Sequence, residues 1–221
     1  MDNHREFKQA INDQFARIAK AVSNPHRFEL IDVLAQGERS VEELAHETAL
    51  SVANASQHLQ ALREARLVMT RKDGLRVYYR LADSSVFRLV QLIREIAERQ
   101  LAEVSRIVDT YLSNRSHLEA LTINELSSRL DDPNIIILDV RPHLEYAQGH
   151  ILGARSIPVD ELESRLSELP PEQEIVAYCR GTYCVFADEA IAILTQHGYR
   201  SRRIEAGFPD WQLANLPIES N

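Results

Sequence analysis

The sequence predicts two units of different class, a mainly helical N-terminal one and an α/β C-terminal one. Three observations lead there. Helix-period segments with cap signals fill residues 3–65 and end in two short alternating runs around Asp73-Gly74. From Leu121 onward, apolar strand-like runs alternate with helical ones. Both cysteines of the chain, Cys179 and Cys184, fall in one loop between such a run and a helical segment.

Length and composition fit this division. A chain of 221 residues suggests one large or two ordinary domains, and 44% apolar with 26% charged residues is the composition of a globular protein with a real core. The first residues lack the apolar stretch of a signal peptide, no run approaches membrane-spanning length, and two cysteines do not make a disulfide framework, so the cytoplasm is the expected location. The net charge is −8 but unevenly placed. Residues 1–113 carry 16 basic and 16 acidic side chains, so the whole acidic surplus lies beyond them. Within the neutral half, Arg63, Arg66, Arg71, Lys72, Arg76 and Arg80 cluster against only Glu64 and Asp73, a local basic patch compatible with DNA contact.

Phe7, Ala10, Ile11, Phe15, Ile18, Ala19 and Val22 recur at helical spacing. Ser23-Asn24-Pro25 ends that helix and starts the next, because proline suits a first turn. Phe28, Leu30, Ile31, Val33 and Leu34 form a largely buried helix closed by Gly37. Ser40-Val-Glu-Glu43 is a capping-box pattern opening a short helix. After the turn Thr48-Ala-Leu50, Ser51 caps a helix to about Ala65 that turns Ala55, Leu59 and Leu62 inward and polar residues outward. Two short helices so joined are a helix-turn-helix. The alternation from Leu67 to Leu81 around Asp73-Gly74 is a β-hairpin, and the combination is a winged helix. From Ser84 to Leu112 apolar residues recur every three or four positions, predicting one helix about 40 Å long with more stripe than its own domain can cover. A second copy of the chain is the expected cover, this helix pairing with the first. Ser113-Asn-Arg-Ser-His117 is a short polar hinge.

In the second half, strands are expected at Ile135–Val140, Ala154–Ile157, Ile175–Cys179 and Arg202–Ile204, and helices at Asn124–Leu130, Val159–Leu169, Cys184–His197 and near Trp211. This order builds a mostly parallel sheet flanked by helices, with ligands expected beyond the strand carboxyl ends. Cys179 closes one strand and faces a helix N-terminus, where free N–H groups favour an anion and a thiol ionises more readily. Arg180 adds a positive charge, and Gly181 lets the backbone turn inward. Taken alone, strand, cysteine and turn suit a small buried apolar residue equally well.

Larger motifs separate the two. Ala21-Val-Ser-Asn-Pro25-His-Arg27, Leu50-Ser-Val-Ala-Asn-Ala-Ser56-Gln-His58-Leu59, Leu62-Arg-Glu-Ala-Arg-Leu-Val68 and Gly74-Leu-Arg76-Val-Tyr78-Tyr79 resemble the ArsR/SmtB family of dimeric bacterial repressors, over about residues 5–112. The resemblance implies a recognition helix in the major groove and a wing along the phosphates. By position, Ala53, Asn54, Ser56 and Gln57 would face base edges, and Arg71, Lys72 and Arg76 would contact phosphates. The expected partner is double-stranded DNA with a palindromic operator bound by a homodimer. Metal sensing is not expected, because residues 38–44 contain no cysteine, residues 84–112 no histidine, and His4, His26, His46, His58 and His117 lie at no spacing that suggests a site. No cofactor is expected.

Ile137-Leu-Asp139-Val-Arg141, Tyr146-Ala-Gln-Gly149-His150-Ile-Leu-Gly153-Ala154-Arg-Ser156-Ile-Pro158 and Gly207-Phe208-Pro209-Asp210-Trp211 resemble, in order, a single rhodanese (sulfurtransferase) domain over residues 118–221. That resemblance implies that Cys179 accepts sulfane sulfur as a persulfide cradled by the amides of a loop containing Arg180, Gly181, Thr182 and Tyr183. Many members carry Arg, Lys or Ser where this chain has Cys184, a departure that disfavours turnover of the dianion thiosulfate and supplies a second thiol. Phosphatase relatives place an arginine where Val185 stands, so that chemistry is not expected.

The expected organisation is therefore a DNA-binding and dimerisation domain over 1–112, a linker over 113–117 and a rhodanese domain over 118–221. The expected function is a repressor that responds to reactive sulfur or oxidants through Cys179, resolved by Cys184 as a disulfide or sulfur-bridged link. Its donor would be a polysulfide, a persulfide or thiosulfate. Two other readings stay open: a working sulfurtransferase whose winged helix serves localisation or dimerisation, and a degenerate rhodanese that only binds protein.

Overall fold

The structure is a computed structural model that describes residues 2–112 and 120–220. The hinge expected at 113–117 lies outside the described residues. The chain divides into two units, Met1–Glu95 and Ile96–Asn221.

The first unit begins with α1 (Asp2–Val22), followed by α2 (Pro25–Ala35). Asn24 caps α2, its side-chain oxygen accepting from the N–H groups of His26 at 3.0 Å and Arg27 at 3.3 Å. A two-residue strand, β1 (Arg39–Ser40), leads into α3 (Val41–Glu47) through the expected capping box. In it, the Ser40 N–H donates to Glu43 at 2.7 Å and the Glu43 N–H to the Ser40 hydroxyl at 3.3 Å. The turn into α4 (Val52–Glu64) places Ala49 at φ 51°, and Ser51 caps the new helix by accepting from the Asn54 N–H. The hairpin is β2 (Val68–Asp73) and β3 (Arg76–Leu81), turning on Gly74 at φ +58°. β3 also pairs antiparallel with β1, giving the sheet order β1-β3-β2. Leu30 and Ile31 of α2, Leu44 of α3 and Leu59 and Leu62 of α4 meet in one core with Val90.

The long helix expected over 84–112 is instead two: α5 (Ser84–Gln100) and α6 (Ala102–Tyr111), separated at Leu101 with φ −113° and ψ 100°. Neither glycine nor proline marks the break, and the apolar spacing continues through Val104 and Ile107 as if nothing intervened. Val86, Phe87 and Val90 at the start of α5 are buried, whereas α6 has no buried residue.

The second unit contains β4 (Ala120–Leu121), α7 (Ile123–Ser127), β5 (Ile135–Asp139), α8 (His143–Gln148), β6 (His150–Ile151) and β7 (Arg155–Ser156). A 3-10 helix over Leu162–Glu168 follows, where an α-helix was expected over Val159–Leu169. Then come β8 (Glu174–Tyr178), α9 (Phe186–Gln196), β9 (Ser201–Ile204), α10 (Phe208–Leu213) and β10 (Ile218–Glu219). Five strands form an all-parallel sheet in the order β4-β9-β8-β5-β7, and β10 pairs antiparallel with β6 apart from it.

Because side chains alternate along a strand, β8 supplies both apolar layers of this sheet. Ile175 and Ala177 pack with Ile191 and Leu194 of α9, while Val176 and Tyr178 pack with Ile204, Phe208 and Trp211. Cys179 continues the first series and meets the α9 layer at the carboxyl end of a strand with neighbours on both sides. No helix among the described residues is long and apolar enough to cross a membrane.

Candidate functional site

The loop from Cys179 to Val185 joins β8 to α9 and carries both thiols, neither of them in a disulfide. Its far end turns tightly, with the Cys184 N–H donating to the Gly181 carbonyl at 3.0 Å. Helix α9 starts at Phe186 with Val185 as its N-cap, so Cys184 lies in the loop two residues before the helix, and the start expected at that cysteine comes later.

Cys179 is 3% exposed and Cys184 half-buried. The two thiols hydrogen-bond to each other. The Cys179 sulfur also makes long contacts to the carbonyls of Gly181 at 3.8 Å and Cys184 at 3.7 Å. Four backbone amides converge on the pair: those of Gly181 and Ala187 on Cys179, and those of Arg180 and Phe186 on Cys184. This is an anion cradle made from a loop and a helix N-terminus.

The charge does not settle where strand-end position alone suggested. The hydrogen bond to Cys184 and then burial push the Cys179 thiol well above its ordinary value, against the pull of the Gly181 and Ala187 amides. The same bond, helped by the amides of Phe186 and Arg180 and by the Arg180 charge, brings Cys184 down to about 7 despite its burial. The easier ionisation expected of Cys179 alone therefore belongs to the two thiols as a unit, Cys179 shifted up and Cys184 down by their mutual bond.

Arg180 does not stand as an isolated cation beside the sulfur. Its guanidinium forks onto Glu145 of α8, with Nε 2.9 Å and a terminal nitrogen 2.5 Å from the same carboxylate oxygen, and it lies 5.4 Å from the Phe186 ring centre. Glu145 is almost wholly buried, so the pair is close to neutral and its main effect is to anchor the loop to α8. Gly181 is half-buried, and Thr182 and Tyr183 are exposed on the rim. The Tyr183 hydroxyl donates to Glu98, in the last turn of α5 and within the same unit.

The loop rests on a backbone that tolerates no side chain. A Cβ on Gly207 would lie 2.3 Å from the Arg180 carbonyl carbon and from the Gly181 nitrogen. The Phe208 N–H donates to the Cys179 carbonyl at 3.1 Å, and Asp210 accepts from the Gly207 N–H at 2.8 Å, fixing α10 against the strand end. Beneath, buried Arg141 pairs with Asp139 at 2.6 Å, donates to the Gly149 carbonyl at 2.8 Å and stacks 4.2 Å from the Phe208 ring centre. Sequence reasoning placed Cys179, Cys184 and Gly181 together. It did not find Glu145, or the amides of Phe186 and Ala187. Gly207 was visible as part of a motif, though its contact with the loop was not.

In the first unit, Ala53, Asn54, Ser56 and Gln57 are exposed along α4 while Ala55, Leu59 and Leu62 are buried beneath them. Lys72 and Arg76 project from the wing as exposed residues. Arg71 is held by Glu38 at 2.6 Å and Asp73 at 3.3 Å and lies 4.7 Å from the Tyr78 ring centre. His58 of α4 faces His26 of α2 with ring centres 5.3 Å apart, and burial, His26 and Arg27 together lower its pKa.

Comparison with known proteins follows the same division. Residues 24–70 match the family model described as bacterial regulatory protein, arsR family, and residues 122–214 match the rhodanese-like domain. The HTH-type transcriptional regulator Rv0324 of Mycobacterium tuberculosis is 42% identical over 219 residues, spanning 99% of this chain and 96% of its own. A sulfurtransferase of Allochromatium vinosum is 36% identical over 95 residues, 42% of this chain and 87% of its own. Among solved structures, a fragment described as the homodimeric winged helix-turn-helix DNA-binding domain of Mb0332 from Mycobacterium bovis is 45% identical, covering 42% of this chain and 87% of that one, with a TM-score of 0.40. A helix-turn-helix whose second helix exposes a largely polar face and a loop holding two cysteines at a strand end thus occur in one chain whose relative matches it nearly end to end: the protein belongs to the arsR family of bacterial HTH-type transcriptional regulators and carries a C-terminal rhodanese-like domain.

Proposed function

We propose that the protein is a cytoplasmic, homodimeric repressor whose hold on a palindromic operator changes when the Cys179–Cys184 pair reacts with sulfane sulfur or an oxidant. The observation that carries this reading is the pair itself: two reduced, mutually hydrogen-bonded thiols under four converging amides, in a chain that also bears a DNA-binding domain. Such a pair can pass from dithiol to disulfide or sulfur-bridged link by ordinary thiol exchange, and a reductant returns it.

Dimerisation is supported by apolar side chains that the single chain leaves uncovered, Phe7 and Phe15 on α1 and Ile96, Ile107 and Tyr111 on α5 and α6. A two-fold dimer implies half-sites about 34 Å apart along the DNA. On each half-site Ala53, Asn54, Ser56 and Gln57 read base edges while Arg71, Lys72 and Arg76 hold phosphates. A tenfold change in operator affinity requires only about 1.4 kcal/mol of differential stabilisation, within reach of a small loop rearrangement.

A working sulfurtransferase is the second reading, and the complete amide cradle favours it. The neutralised Arg180–Glu145 pair disfavours thiosulfate as its donor, since a dianion then meets little net positive charge. The deciding experiment pairs intact-mass analysis after polysulfide treatment with a gel shift on DNA from the upstream region of the chain's own gene. Added sulfur or a Cys179–Cys184 bridge, with a changed shift, supports the regulator. Steady cyanide-dependent sulfur release without any shift supports the enzyme.

A further inference from the structure

We propose that Cys179 and Cys184 form a two-coordinate site for a soft monovalent cation, Cu(I), held between the two sulfurs beneath the loop amides. The site requires only the placement of the two thiols, and it holds whether or not they respond to sulfane sulfur.

Ligand number is the first ground. The thiols hydrogen-bond to each other, so their sulfurs already face one another across a shared proton. A cation satisfied by two thiolates can take that proton's place with the loop nearly where it stands. Among the described residues, no group of three or more His, Cys, Asp or Glu side chains gathers in a way that could hold a metal ion. Zinc, which takes at least three protein ligands, is therefore poorly served by this pair. Cu(I) is selected by soft thiolates and needs no third one.

Charge is the second. One cation between two thiolates leaves a complex with a single negative charge. Four backbone N–H groups converge on the sulfurs, those of Gly181 and Ala187 on Cys179 and those of Arg180 and Phe186 on Cys184. Such converging amides favour an anion, and metal-bound sulfur keeps lone pairs to accept from them. Arg180 is already matched by Glu145, so the amides supply most of the compensation.

The surroundings are the third. Cys179 is 3% exposed in the layer formed by Ile175, Ala177, Ala187 and Ile191, and Cys184 packs against the same layer. An apolar wall on that side keeps water from competing with the sulfurs. Thr182, Tyr183 and Val185 on the other side are exposed, so the pair lies close to solvent and Cu(I) can pass to it from a thiol carrier. On loading, both cysteines lose their protons, two Cu–S bonds form, and the carrier thiolates depart and take up those protons. Copper stays Cu(I) and no sulfur is oxidised. A loaded pair has no free thiolate, so Cu(I) and sulfane sulfur compete for it.

The test titrates the full-length reduced protein, under anaerobic conditions, with Cu(I) supplied as its acetonitrile complex against the chelator bicinchoninate, with Zn(II) against a zinc chelator in parallel. One Cu(I) per chain should be withheld, X-ray absorption should show two sulfur neighbours and no others, and Cys179→Ser and Cys184→Ser should each lose the metal to the chelator. No copper withheld, copper retained by either variant, or Zn(II) held as firmly as Cu(I) would overturn the proposal. A measurement on the native chain covers a variant that misfolds: bound Cu(I) should slow iodoacetamide labelling of both cysteines by at least about tenfold, and unchanged labelling of a copper-loaded chain places the metal elsewhere and refutes the site. A chain that withholds no copper yet gains sulfur mass from polysulfide ends this proposal and leaves the sulfur-responsive reading standing. One that takes copper and gains no sulfur does the reverse.

Discussion

Replacing Gly207 by alanine tests how the sulfur loop is held. The backbone there has φ −116° and ψ −176°, an extended conformation open to any residue, so conformational strain plays no part. The obstacle is space. The new methyl would sit 2.3 Å from two backbone atoms and 2.4 Å from a third, the Arg180 carbonyl oxygen, none of which can rotate away as a side-chain tip could. Either α10 backs off, loosening Phe208 and Trp211 in a layer where both are buried, or the loop lifts and carries Arg180 and Gly181 with it. Overpacking of this kind costs about 1–3 kcal/mol. With a urea dependence of about 1–3 kcal/mol per molar, the midpoint of the rhodanese transition should fall by roughly 1 M. Because the Arg180 and Gly181 amides both point at the cysteine sulfurs, disulfide closure after persulfide treatment should slow in parallel. Urea unfolding followed by Trp211 fluorescence gives the first quantity, and mass analysis of the closing reaction the second. An unchanged midpoint with unchanged closure would refute the contact between α10 and the loop.

Three further outcomes follow from other parts of the molecule. The rate of first-thiol alkylation should rise with pH through a midpoint near the value of about 7 set for Cys184, slow below it where the thiol is protonated and levelling above it; stopped-flow alkylation showing a midpoint near that of a free cysteine would contradict the cradle. Asn54→Ala or Gln57→Ala should weaken operator binding by about 1–3 kcal/mol if each makes a bidentate base contact, whereas Lys72→Ala should lower the salt slope by about one and leave sequence preference intact; anisotropy titrations over a range of salt separate the two. Glu38→Gln should release Arg71 toward phosphate and strengthen DNA binding by about two- to fivefold, and an affinity that falls instead would show that the Glu38 contact positions the wing.

Much of this arrangement can be read from residues alone, for identifiable reasons. The Ser40–Glu43 box, the Asn24 and Ser51 caps and the Asp73-Gly74 turn are local signals, and each element starts or turns where they stand. The run from Ile175 to Tyr178 is short and apolar throughout, and its parallel pairing on both sides explains why no polar face interrupts it. What escaped the sequence is non-local. β1, β6 and β10 are two residues each, too short to leave a period, and exist only because a partner strand passes by. The break at Leu101 sits inside an unbroken apolar stripe and has no local cause in the residues around it.

The same limit applies within the site. Cys179 at a strand end with Gly181 in the turn was legible, because strand alternation and turn chemistry are local. The Arg180 charge is legible too, but its buried counter-charge, Glu145, arrives from a helix 35 positions earlier in the chain. Which cysteine carries the negative charge depends on their mutual hydrogen bond and on four amide directions, two of them from Phe186 and Ala187 beyond the loop. No spacing rule encodes that partition.

The central claim is that the state of one dithiol sets the grip of the DNA-binding half. Its most direct test is the operator dissociation constant measured by fluorescence anisotropy on the same full-length preparation, reduced and then polysulfide-treated, beside a Cys179→Ser/Cys184→Ser double variant treated identically. A change of about tenfold or more is expected in the native protein, reversed by a thiol reductant and absent from the double variant. Equal affinity before and after treatment, in a protein whose mass shows the cysteines fully converted, would contradict it.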